Sequence, residues 1–229
     1  MMKLCYKNLE KEMILDGVTP YVLIIENPHE FYKIVNLLNS QTSYNCDDGF
    51  ILSNPDTLKE LSLNKHADII IDFFNVEFNN KKIQNAINKR AVEIVNNTDL
   101  KMDYVNSLQS ITAFLNKIIS ELDIQTSSEV SLYPIDFIKM GNLKVLEWYK
   151  NPLEMIINYI NILTKLNDID ILFLVNAKQI LTKDELLQLY KHCSYIKLNL
   201  ILIESISQRE KIDKEQVVII DNDLCEIDY

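Results

Sequence analysis

The stretch ILFLVNAKQILTKDEL, residues 171–186, indicates the fold class most directly. Its first five residues are all apolar, which is typical of a strand covered on both faces in a parallel sheet. Thr182, with Glu185 three residues later, predicts a capping box and therefore the start of a helix. A buried strand, a short turn and a capped helix together indicate an α/β fold with a mainly parallel sheet.

The residue that follows this strand is Asn176. In many nucleotide hydrolases an acidic residue stands there and holds a metal ion and a water molecule. The first predicted strand, in TPYVLIIEN (residues 19–27), runs into PHEFYK without a glycine, although a phosphate-binding loop needs glycines to turn its N–H groups inward. Pro28 also removes one N–H donor. The sequence therefore predicts no usual ATP cradle.

Other catalytic patterns are missing too. The chain has three glycines and three histidines, with no dinucleotide-binding glycine loop and no pair of histidines or cysteines at metal-ligand spacing. No serine lies in the GxSxG turn of an α/β-hydrolase. We therefore expect a protein that is not an enzyme.

Further strands and helices follow the first strand in alternation. We predict a head from residues 1–79 and 141–229 and a helical insertion, or leg, from residues 80–140. Asn27 is a predicted N-cap, with Pro28 in the first helical turn. The further predicted strands are ADIIIDFFNVEF (67–78), NLKVLEW (142–148), LNLILIES (198–205) and VVIID (217–221).

The longest predicted helix runs from Asp99 to about Leu122. Its apolar residues recur at alternating spacings of four and three, as in a coiled-coil seam. Such a seam suits either a helical hairpin inside the subunit or a contact between subunits. The seam consists of Tyr104, Leu108, Ile111, Leu115, Ile118 and Leu122.

Composition and charge indicate in which compartment the protein works and which ligands it is suited to bind. No apolar run is long enough to cross a bilayer, and the N-terminus lacks a secretory signal pattern. The four cysteines are far apart, which favours a reduced protein in the cytoplasm. The net charge of −10 argues against a globally basic nucleic-acid binder, although lysines gathered on one face would still attract phosphates.

An acidic cluster follows the long helix. Glu121 and Asp123 lie at its C-terminal end, where negative charge is unfavourable for the helix dipole, and Glu129 comes shortly after. A hard cation such as Ca²⁺ would offset this charge through carboxylate and carbonyl oxygens. A plain solvated acidic turn is the alternative.

The order of these segments resembles a known family. The segments TPYVLIIEN, IIIDFFNVEFNN, SELDI, FIKMGNLKV and, most specifically, ILFLVNAKQILTKDEL with LNLILIES occur in the same order in the CRISPR-associated spacer-acquisition protein of type II-A systems (the Csn-two family). The resemblance implies a degenerate P-loop ATPase head that does not hydrolyse nucleotide. It also implies homotetrameric rings that bind Ca²⁺ between head and leg and hold double-stranded DNA ends.

The resemblance also implies site residues and partners. It transfers calcium ligands to Glu121 and Asp123, whereas the next acids fall either on the polar Ser127 and Ser128 or on Glu129. Expected partners are the two CRISPR integration proteins and the effector nuclease. The candidate DNA-binding residues are Lys117, one turn before the acids, and Lys139 and Lys144 in FIKMGNLKV.

Two other functions stay open on the sequence. One is a residual NTP-using enzyme similar to a DNA-repair ATPase, and the other is a scaffold that binds only proteins. A ring would reconcile DNA binding with the acidic monomer, because four copies would gather inward-facing lysines around one channel.

Overall fold

The computed structural model describes residues 2–7, 9, 11–44, 46, 49–57, 59–122, 124, 126–127, 129–167, 169–205 and 211–228. The chain divides into two compact units. The first unit comprises Met1–Val76 and Trp148–Tyr229, and the second comprises Glu77–Glu147.

The elements follow one another in a βα order typical of α/β proteins. In chain order they are β1 (Met2–Tyr6), β2 (Met13–Leu15), β3 (Tyr21–Ile25), α1 (Pro28–Ser43), β4 (Phe50–Ser53), β5 (Glu60–Leu61), α2 (Leu63–His66), β6 (Ala67–Ile70), α3 (Lys81–Asn97), α4 (Leu100–Glu121), α5 (Pro134–Met140), α6 (Pro152–Asn167), β7 (Ile171–Val175), α7 (Ala177–Ile180), α8 (Lys183–Ile196), β8 (Asn199–Glu204), β9 (Gln216–Ile220) and β10 (Glu226–Asp228).

The larger sheet of the first unit has, in the described residues, six strands in the order β10-β9-β3-β8-β7-β6. All neighbouring pairs are parallel except the antiparallel pair of β10 with β9. Every residue of β3, β7 and β8 is buried, as expected for strands covered on both faces. The predicted mainly parallel α/β sheet is confirmed.

A second sheet of the first unit was absent from the sequence prediction. Over the described residues it contains four antiparallel strands in the order β2-β1-β4-β5. Tyr6 of β1 stacks on Phe50 of β4 at a centroid distance of 4.6 Å, and Phe50 lies 6.5 Å from Phe173 of β7. The two sheets and the buried side of α1 therefore share one apolar core.

Two predicted strands need correction. The prediction of a strand at NLKVLEW (142–148) is wrong, because these residues form no strand. Asn79 instead holds Val145: its Nδ2 donates to the Val145 carbonyl at 3.0 Å, and its Oδ1 accepts from the Val145 N–H at 2.8 Å. The strand predicted over 67–78 ends at Ile70, because the Asp72 carboxylate accepts the Phe74 N–H and closes a turn.

The second unit is helical, with α3 packed against both α4 and α5. The Tyr104 ring meets the edge of Phe137 at 5.4 Å, and the Tyr104 hydroxyl donates to the Leu132 carbonyl at 2.7 Å. Nevertheless, none of the 22 residues of α4 is fully buried. Its first half contributes half-buried seam residues, whereas Phe114 and Ile118 in its second half are 63% and 41% exposed.

The described part of the chain contains no helix that is both long and apolar enough to cross a membrane.

Candidate functional site

The carboxyl edge of the parallel sheet is the part of this fold where a ligand site is expected. In open α/β sheets ligands bind beyond the carboxyl ends of the strands, where the order of the strands reverses. Here β3 comes first of the parallel strands in the chain, yet it lies between β8 and β9. The residues that follow β3, β7 and β8 therefore determine what this edge can bind.

The end of β3 is closed by a helix cap. The Asn27 Oδ1 accepts the N–H groups of His29 at 3.0 Å and Glu30 at 3.2 Å, and its Nδ2 donates to the Asn222 carbonyl at 3.1 Å. The predicted N-cap is thus confirmed. A helix N-terminus binds phosphate through such N–H groups, and here Asn27 already uses two of them while Pro28 has none.

An acidic side chain occupies the first turn of α1. The carboxylate of Glu30 accepts from the Tyr6 hydroxyl at 3.1 Å and from the Lys33 ammonium at 2.8 Å. Burial, followed by the Glu30 charge, raises the pKa of Tyr6, and the hydrogen bond to Glu30 raises the pKa of Lys33. Lys33, the lysine closest in sequence to a phosphate-binding position, is therefore engaged by a neighbouring carboxylate that would itself repel phosphate.

Asn176 connects the ends of β7 and β8. Its backbone is left-handed, with φ of 55°, a conformation that Asn tolerates better than most residues. Its N–H donates to the Ile203 carbonyl at 2.8 Å, and its Oδ1 accepts from the N–H and hydroxyl of Ser205 at 3.0 and 2.9 Å. Asn176 thus joins two strand ends at the position where many nucleotide hydrolases carry an acidic residue.

A buried polar network lies behind this edge. The Lys178 ammonium, on a residue only 7% exposed, donates to the Glu215 carboxylate at 2.8 Å. Glu215 also accepts from the Tyr190 hydroxyl and the Ile212 N–H, and Glu204 accepts the Lys178 N–H at 2.9 Å. Burial and then the Glu215 charge raise the pKa of Tyr190. These groups bond to one another and therefore stabilise the head.

Sequence reasoning missed this network. A signal was present, because Glu204 directly follows the apolar run of β8 and Lys178 lies in the buried turn after β7. Charged residues are almost never fully buried unless they are paired. The pairing itself depends on residues up to 37 positions apart, which no local pattern indicates.

The candidate DNA-binding lysines all lie in the helical unit. Lys117 is in the last turns of α4, Lys139 is in the last turn of α5, and Lys144 follows in the irregular segment. All three are exposed. Within the residues that the structure describes, none of them forms an ion pair, so their ammonium groups are accessible to a polyanion.

The candidate calcium ligands are only partly described. Glu121 is the exposed last residue of α4 and Glu129 is exposed beyond it, whereas Asp123 lies outside the described residues. The Asp136 carboxylate accepts the Tyr133 N–H at 2.7 Å as part of a helix cap. Among the described residues no three acidic, histidine or cysteine side chains gather around one point. The described carboxylates thus do not form a calcium site by themselves, and the calcium prediction stays a prediction.

These features define an α/β head with a closed ligand edge and a separate helical unit. The family model described as CRISPR-associated protein (Cas_Csn2) matches residues 43–224, more than half of the chain. The chain therefore belongs to this CRISPR-associated family, and the family resemblance seen in the sequence is confirmed.

Solved structures resemble the fold of this chain at low sequence identity. The crystal structure of Stu0660 of Streptococcus thermophilus matches with a TM-score of 0.55 and 13% identity, over 96% of this chain and 75% of that chain. A nucleotide-free ATP-binding cassette from an ABC transporter gives a TM-score of 0.44 at 13% identity, over 100% of this chain and 92% of that chain. No curated protein matches.

Proposed function

We propose that this protein is a non-catalytic clamp that binds the ends of double-stranded DNA during CRISPR spacer acquisition. Membership of a CRISPR-associated family supports the CRISPR role. The Asn27 cap supports the proposal that the protein is not catalytic, because the Asn27 side chain accepts the N–H groups that a bound phosphate would need. The residual NTP-using enzyme is disfavoured by the same observation.

The DNA contact is proposed for the helical unit. Lys117, Lys139 and Lys144 are exposed there, and their charges would contact phosphates without reading bases. Because the chain carries a net charge of −10, such a contact needs lysines gathered from several copies around one channel. A homotetrameric ring provides this arrangement, and a closed ring loads DNA only from an end.

The exposed half of α4 supports assembly. Phe114, Ile118 and Leu122 are 63%, 41% and 49% exposed, and apolar side chains at helical spacing favour packing against another helix. We expect a tetrameric mass in solution. Replacing Ile118 and Leu122 by Glu should lower the mass, whereas Leu187→Glu, on a 42% exposed leucine of α8, should leave it unchanged. A monomeric wild-type protein at micromolar concentration would contradict the ring.

Calcium is proposed as a structural ion at the end of α4. Glu121, Asp123 and Glu129 would supply carboxylate oxygens, and carbonyl groups would complete the coordination that Ca²⁺ requires. An ion that binds only the folded state raises the melting temperature with its concentration. The Glu121→Ala/Asp123→Ala variant should lose that rise. An unchanged calcium response would place the ion elsewhere.

The lysines provide the test of the DNA site. Each neutralised phosphate makes log K fall by about 0.9 per tenfold increase in salt. The triple change of Lys117, Lys139 and Lys144 to Ala should weaken binding to all sequences and flatten this slope. A matched triple change of Lys165, Lys183 and Lys191, which are exposed on α6 and α8, removes the same charge from the head. Equal effects of the two triples would refute the assignment.

The proposed partners are the CRISPR integration proteins and the effector nuclease, and the proposed compartment is the cytoplasm. A protein-only scaffold would bind these partners but give no shift of linear duplex DNA in a gel. That observation separates the scaffold from the clamp.

A further inference from the structure

The only tryptophan of the chain is exposed. Trp148 is the first residue of the second segment of the first unit, two residues before Lys150, and 71% of its surface is accessible. Tryptophan is a residue that proteins bury extensively, because its ring removes a large apolar area from water. An indole ring held in solvent is therefore a candidate contact for a ligand with a flat apolar face.

The backbone around Trp148 is held in place. The Trp148 carbonyl accepts from the Asn158 side-chain amide at 2.9 Å, and the Lys150 N–H donates to the Glu154 carboxylate at 2.9 Å. The Asn151 side chain in turn accepts the Glu154 N–H at 2.8 Å. These bonds attach the segment to the first two turns of α6, so the ring is presented from a fixed support.

A positive charge accompanies the ring. The Lys150 ammonium lies 5.4 Å from the centroid of the Trp148 ring, within the range of a cation–π contact. Glu147 precedes the ring in the sequence and the Glu154 carboxylate accepts the Lys150 N–H, so the positive charge next to the indole is that of the Lys150 ammonium alone. A ligand that offers both a π face for the indole and a negative charge for the ammonium would match this pair.

We propose that Trp148 stacks on the terminal base pair of a double-stranded DNA end while Lys150 contacts the terminal phosphate. The proposal rests on the DNA-end function above and adds a residue that would distinguish the end of a duplex from its side. The side of a duplex presents phosphates and groove edges, whereas only its end presents an unstacked base-pair face. Stacking of a base on an aromatic side chain typically changes affinity by about 5-fold to 150-fold.

The single tryptophan makes a direct probe of this contact. A short blunt-ended duplex should quench the fluorescence of Trp148, because a stacked base accepts an electron from the excited indole. The same duplex closed by hairpin loops at both ends should bind without quenching or fail to bind. Quenching of equal size by the closed duplex would place the ring against the side of the DNA and overturn the proposal.

Variants separate stacking from charge. Trp148→Ala should weaken binding of the open duplex at least about fivefold without altering the salt slope, whereas Trp148→Phe should retain most of the affinity. Lys150→Gln should flatten the slope by about 0.9. Tyr195→Ala, which removes an 87% exposed aromatic ring from α8, is the matched control and should have no effect. Equal affinities of the Trp148→Ala variant and the parent would overturn the proposal.

The failure of the inference and the failure of the DNA function look different. If a dye-labelled duplex shows binding by anisotropy but Trp148 emission stays constant, the stacking proposal fails and the clamp stands. If no duplex binds, both fail. If the emission of the DNA-free protein shifts to the blue as its concentration rises, another copy of the chain covers the ring, which also overturns the stacking contact.

Discussion

The head and the helical unit differ in how far their side chains are buried and hydrogen-bonded. At the carboxyl edge of the head, Asn27, Asn176 and Glu215 bond to neighbouring backbone and side-chain groups, and the strands β3, β7 and β8 are fully buried. In the helical unit, α4 buries none of its residues and leaves Phe114 exposed. The buried, hydrogen-bonded edge stabilises the head, whereas α4 leaves apolar surface exposed.

The largest expected effect is on the free energy of unfolding, and it is seen when one buried and one exposed phenylalanine are each replaced by alanine. Phe173→Ala should lower the free energy of unfolding by about 3–5 kcal/mol, because it removes a fully buried ring and leaves a cavity between the two sheets. Phe114→Ala should change it by no more than about 0.5 kcal/mol at protein concentrations too low for assembly. Urea unfolding measures both. Similar losses would mean that α4 is covered within the subunit.

The second comparison concerns two ion pairs. Glu215→Ala should cost about 3–5 kcal/mol, because it leaves the buried Lys178 ammonium without its carboxylate. Glu93→Ala breaks the exposed pair with Arg90 and should cost at most about 1 kcal/mol. A Glu215→Ala variant as stable as the parent in urea would show that the network does not hold the head together.

The smallest effect compares two asparagine N-caps. Asn27→Ala and Asn80→Ala should each cost about 1 kcal/mol, because each side chain caps a helix through its Oδ1 and donates to a backbone carbonyl through its Nδ2. Neither variant should bind ATP in a calorimetric titration, since Glu30 remains in the first turn of α1. ATP affinity in Asn27→Ala would show that the cap alone blocks a phosphate site.

The parts of the fold with strong local signals were predictable. The capping box of Thr182 and Glu185, the Asn27 cap and the apolar strands β3, β7 and β8 each follow from a few neighbouring residues. The four-stranded sheet was not predicted, because its strands have only two to five residues, too few for a period-two pattern to stand out from the surrounding sequence. The segment 142–148 shows the opposite error: it has strand-like composition, but Asn79 satisfies the backbone of Val145 and no strand forms.

The candidate site was predictable only in part. The absence of a glycine loop and the presence of Asn176 predicted that the head does not cradle ATP as usual, and the structure adds how Asn27 and Asn176 use their side chains. The exposure of Trp148 and its contact with Lys150 could not be predicted, because an apolar residue in the sequence carries no sign of whether the fold covers it.

The most direct test is the affinity for one DNA sequence in linear and in covalently closed circular form, each with and without Mg-ATP. The clamp account predicts that linear duplex binds, that the closed circle does not, and that ATP changes neither result. Equal affinity for both forms, or binding that requires ATP, would contradict it.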